Sequence, residues 1–278
     1  MTIGNHKLYQ LFKYTVYGFL ALNVYWFFAE EYAAAALQFS GGLALGDIIE
    51  AYAATIDTFA WVVLLLMFEL ETWVFEDKSF TRRVTWTLHG LRALCYLFIV
   101  YAFYGYIQNL AFVSDTVPLA NISDVCALLP GEWSWATTLD EYVLITAANC
   151  SSWTDTNTLL QFRDLPAVVD AAGRTDIVRL AWVDVINAGI WLLVVLVLET
   201  DVRLQERNLY EGLALKVSNV VKFVLYSILL VAAVYWGLKG DFVDFWDAFL
   251  WLVAFVFIEL NVFEWRAEDN ARIAAEGA

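Results

Sequence analysis

FELETWVFED, residues 68–77, closes an apolar run long enough to cross a bilayer, yet Glu69 and Glu71 precede its last apolar residues Trp73, Val74 and Phe75. A charge at the centre of a membrane helix costs about 2.5–3.5 kcal/mol on insertion scales, less toward its ends. The two carboxylates therefore need a partner or water.

The same element recurs twice. Asp57, Trp61, Glu69 and Glu71 stand at relative positions 0, 4, 12 and 14; Asn187, Trp191, Glu199 and Asp201 repeat that spacing, and so do Asp247, Trp251, Glu259 and Asn261. A fainter echo pairs a basic residue with a tyrosine four later: Lys13 and Tyr17, Arg92 and Tyr96, Lys222 and Tyr226. Recurrence at a fixed spacing predicts repeated units, here three helical hairpins about a pseudo-threefold axis.

Composition sets the solvent. Of 278 residues 61% are hydrophobic and 17% charged, with mean hydropathy +0.61, against about 45–50% apolar and about 25% charged in a soluble domain. Apolar runs near 13–30, 55–75, 91–108, 181–202, 217–238 and 243–265 each match the ~20 residues a bilayer-spanning helix needs. The expected fold is all-α and polytopic. Hairpin 1 takes residues 1–75 with an interfacial segment at 31–54, hairpin 2 takes 76–202, and hairpin 3 takes 203–278 with a cytoplasmic tail. No dyad alternation of a membrane barrel is present.

Twelve of the sixteen Lys and Arg residues fall on one side of this six-span arrangement, which puts both termini in the cytoplasm of a plasma or inner membrane. The opening MTIGNHKLYQLFK lacks a cleavage site and reads as an uncleaved insertion signal. The outer segment 109–180 is too long for a passive connection. It holds all three prolines, Trp133, Trp135 and Trp153, and Cys126 and Cys150. A cap of short surface helices tied by a Cys126–Cys150 disulfide is expected. NIS at 121–123 and NCS at 149–151 match the glycosylation pattern, which matters only in a glycosylating host.

A net charge of −15 argues against nucleic acid and anionic surfaces as partners. Acidic residues crowd the outer segments, including Glu30, Glu31, Asp47, Glu50, Asp140 and Glu141. They form either an ordinary solvated face or a field that gathers cations. The two histidines, His6 and His89, lie near the cytoplasmic side, and no CxxC or phosphate loop exists. Haem, zinc and nucleotide are not expected, and neither is enzymatic catalysis.

Two readings of the glutamates remain. In one, Glu69, Glu199 and Glu259 form a shared cation or proton site, with Glu71, Asp201 and Asn261 as more variable second positions and Asp57, Asn187 and Asp247 nearer the outer interface. Positions two apart lie ~200° around a helix, so first and second positions face different neighbours. In the other, Lys13, Arg92 and Lys222 pair with these carboxylates and pin helix to helix. The first reading gives a cation or proton channel or transporter. The second gives a non-transporting scaffold or accessory subunit with protein partners or further copies of itself. The 17% aromatic content suits membrane interfaces, or a groove for a lipid, quinone or pigment.

Overall fold

The computed structural model describes residues 3–39, 42–70, 82–119, 122, 124–129, 131–153, 158–163, 165–207 and 212–255. Helix α1 covers Ile3–Gln38, α2 Ile48–Ala51, α3 Ala53–Glu69, α4 Arg82–Ser114, α5 Ala171–Glu206 and α6 Leu213–Lys239. A further helix, α7, runs over 242–255.

Among the described residues, α4, α5 and α6 are long and apolar enough to cross a membrane. Six spans were expected. The chain is long enough in α1, but Tyr14, Tyr17, Asn23, Tyr25, Trp26, Glu30 and Glu31 hold its hydropathy down. The described parts of the second and sixth runs, α3 and α7, are short. The three apolar helices turn most of their side chains outward. Leu94, Leu97, Phe98 and Val100 of α4 and Val220, Phe223, Val224 and Val231 of α6 are exposed. Contiguous apolar faces on this scale mark a surface that meets membrane.

Between α4 and α5 the expectation of an all-α cap is corrected. Strands β1 (Thr116–Pro118), β2 (Ser134–Ala136), β3 (Tyr142–Leu144), β4 (Leu159–Phe162) and β5 (Ala167–Asp170) form one sheet in the order β1-β4-β5-β2-β3. Only β2 and β5 run parallel; Trp135 sits between Val143 and Val168. β-branched and aromatic residues favour a pleated, half-buried surface, while Pro118 ends β1 and Pro166 stands just before β5. The Cys126–Cys150 disulfide is formed and closes a small core with Val125, Trp135, Ile145, Leu159 and Val168.

Short-range chemistry fixes the cap to the bundle. The Asp170 carboxylate accepts from the Gly173 N–H at 2.6 Å, capping the start of α5. One turn on, Arg174 donates to the Ser114 carbonyl and to Thr116 Oγ1, both at 2.8 Å, satisfying a carbonyl that the end of α4 leaves open. Arg163 grips Asp115 at the same corner. On the far side, Gln38 of α1 donates to the Tyr142 hydroxyl of β3 at 3.1 Å.

The bundle core joins Val16, Tyr17 and Leu20 of α1 to Trp61 and Leu65 of α3, Ile99 of α4, Trp191 and Val194 of α5, Leu229 of α6, and Trp251 and Phe255 of α7. At Gly105, α4 comes so close to the α2–α3 corner that a methyl group would sit 2.6 Å from the Ile49 carbonyl oxygen. That contact holds the corner against the bundle.

Candidate functional site: an acidic vestibule over an aromatic floor

The tryptophans of the repeated element meet. Trp61 lies 6.0 Å from Trp191 and 6.1 Å from Trp251 between ring centroids, and Phe255 packs 4.6 Å from Trp191. All four side chains are buried. Four residues earlier on each helix, about one turn toward the cap, stand Asp57, Asn187 and Asp247. They line a cavity of about 70 Å³ whose deepest residues on α3, α5 and α7 are Trp61, Trp191 and Phe255. That volume holds a handful of waters.

Among the described residues the lining carries eight carboxylates, from Glu30, Glu31, Glu50, Asp57, Asp140, Asp184, Asp244 and Asp247, and no Lys or Arg. Several have specific jobs. Glu31 accepts from the Ala54 and Thr55 N–H groups at 2.7 and 3.0 Å and from Thr55 Oγ1 at 2.5 Å, so it caps α3 from a neighbouring helix. Asn23 of α1 donates through Nδ2 to Asp247 at 2.7 Å, and Trp236 of α6 donates to Asp184 at 3.2 Å. Tyr106 of α4 reaches Asp57 over a long 3.5 Å. The buried Oδ1 atoms of Asn187 and Asn23 accept no hydrogen bond.

Leu139 and Asp140, in the loop between β2 and β3, close the cap side of the cavity. Burial pushes the Asp140 carboxyl up to about 7, with Asp241 and Glu141 adding repulsion. Burial, then Asp47, pushes Glu50 of α2 in the same direction. A carboxyl raised from the ordinary value near ~3.9 supports the fold fully only below that value. Its contribution is lost as pH rises through about 7. The protein should therefore melt at a higher temperature at pH 5 than at pH 8, and Asp140→Asn should narrow that difference by stabilising the pH 8 state. Melting curves at both pH values check this; an unchanged difference in the variant refutes the role of Asp140.

The row at the other end of the bundle is built differently. Glu69 is buried and its Oε1 accepts from Lys13 Nζ at 2.5 Å and from the Tyr14 hydroxyl at 2.9 Å. Lys13 itself is 1% exposed. Lys222 pairs not with a first position but with a second one, Asp201, at 3.1 Å, where Ser218 also donates at 2.7 Å. Glu199 accepts from Tyr96 at 3.3 Å, and Arg92 acts electrostatically on the same tyrosine. Neither Glu69 nor Glu199 lines the cavity. Glu71, Glu259 and Asn261 lie outside the described residues, as do residues 121 and 123 of the first sequon. Asn149 of the second is held in a turn, accepting from the Thr146 N–H and donating to the Leu144 carbonyl.

Sequence reading named the acidic outer segments and the Asp57, Asn187 and Asp247 register. It missed Asp184, Asp244 and Asn23. Their only signal is a polar residue inside an apolar run, one to two turns from the outer end. Comparison of the chain with protein-family models, with curated proteins and with solved structures found no match.

Proposed function

We propose that this protein is a membrane channel or transporter that admits cations or protons through the acidic vestibule. It rests on one observation: a cavity lined, among the described residues, by eight carboxylates and no Lys or Arg opens under the cap, above the buried tryptophans. Low-dielectric walls of one charge sign concentrate counter-ions at an entrance. Ionisable residues kept within a membrane bundle commonly mark an ion pathway.

In this reading the six runs span as three hairpins in pseudo-threefold arrangement. The cap faces outward, and both termini lie in the cytoplasm of a plasma or inner membrane. The vestibule is the outer half of the path. Trp61, Trp191, Trp251 and Phe255 close it, and Glu69 and Glu199 lie beyond. The Lys13–Glu69 pair gives the glutamate row a structural role at one of its three positions.

One observation favours a second reading. The axis between vestibule and glutamates is packed with aromatic rings, as in a scaffold or accessory subunit that moves nothing and binds other chains, lipid, quinone or pigment. Reconstitution separates the two. Liposomes carrying the purified protein should pass K⁺ or H⁺ and exclude Cl⁻. Leakage equal to that of protein-free liposomes for every ion would end the transport reading.

A further inference from the structure

The vestibule combines three features that inorganic cations do not need together. Its base is aromatic, with Trp61, Trp191 and Trp251 all in the wall. Its carboxylates stand apart: among the described residues no three His, Cys, Asp or Glu side chains converge as a metal cage would require. A divalent cation such as Ca²⁺ takes about 6–8 oxygen ligands. One neutral acceptor in its wall is idle: Asn187 Oδ1 is buried and receives no donor.

An N–H-bearing cation meets all three. Its N–H groups donate to Asp57, Asp247 and the Asn187 oxygen, while its charge and carbon end lie against indole rings, whose faces attract cations. The cavity, about 70 Å³, limits the ligand to a few heavy atoms. We propose that the vestibule is a binding site for a small primary alkylammonium ion, held between the Asp57 and Asp247 carboxylates and the tryptophan base. This rests on the cation-vestibule reading above and names its substrate class.

The four tryptophans that line the cavity, Trp61, Trp191, Trp236 and Trp251, supply the signal. Full-length protein in detergent micelles at pH 7.5 and constant ionic strength is titrated with methylammonium chloride, against NaCl, KCl and CaCl2, following tryptophan fluorescence and, separately, heat. Methylammonium should give a saturable response roughly tenfold tighter than Na⁺ or K⁺, the size of one good cation–π contact. The double variant Asp57→Asn/Asp247→Asn should lose that response. Trp251→Phe should weaken binding severalfold, an effect that loss of charge alone does not explain. Equal or tighter binding of Na⁺, K⁺ or Ca²⁺ overturns the ammonium assignment, as does binding that the double variant leaves unchanged. If methylammonium fails to bind while liposomes still pass K⁺, the ammonium inference falls and the transport reading stands. If methylammonium binds as described and no ion crosses, the ligand class holds and transport falls.

Discussion

Glu69→Gln is expected to cost about 3–5 kcal/mol of stability, because it removes the carboxylate from a buried Lys13–Glu69 ion pair. Lys13 is 1% exposed and its nitrogen sits 2.5 Å from Glu69 Oε1, so water cannot take the place of the lost carboxylate without local unfolding. Glutamine preserves volume and still accepts from Tyr14, so the loss reports charge rather than packing. Asp201→Asn provides the internal comparison. Its partner Lys222 is 17% exposed, can hydrate on losing the carboxylate, and should cost clearly less. The double variant Lys13→Met/Glu69→Leu should recover much of the loss, since apolar replacement of a buried pair is often neutral or stabilising. Thermal unfolding in detergent of these three variants, beside the wild type, checks the set. A loss below about 1 kcal/mol for Glu69→Gln, the range of an exposed pair, would contradict it.

The repeated spacing in the sequence placed three tryptophans and three polar residues at matched positions, and the structure brings those rings together and opens a cavity beside those polar residues. That much was legible because helical periodicity is local. Which cation meets which carboxylate was not. Lys13 chooses Glu69, but Lys222 chooses Asp201, a choice set by which of two helix faces a neighbour covers. The disulfide was legible from two cysteines in one segment. The sheet around it was hidden in strands of three or four residues whose partners are far along the chain; Thr116 pairs with Phe162. Glu31 reads as one more surface acid, and only the α1–α3 packing turns it into a helix cap.

The larger functional effect is expected at the vestibule. Asp57 and Asp247 are both desolvated and each draws on an indole one turn further along its own helix, and Asp247 acts on Asp57 as a like charge. Removing both charges should relieve repulsion and burial cost while abolishing the local field that collects cations. The direct measurement is cation flux into liposomes for wild type and Asp57→Asn/Asp247→Asn, with the melting temperature of the same two preparations. Flux should fall at least about tenfold, the low end of what a focused field contributes to association, with melting temperature held or raised. Unchanged flux, with a melting temperature that drops sharply, would contradict it and leave the carboxylates as parts of the frame.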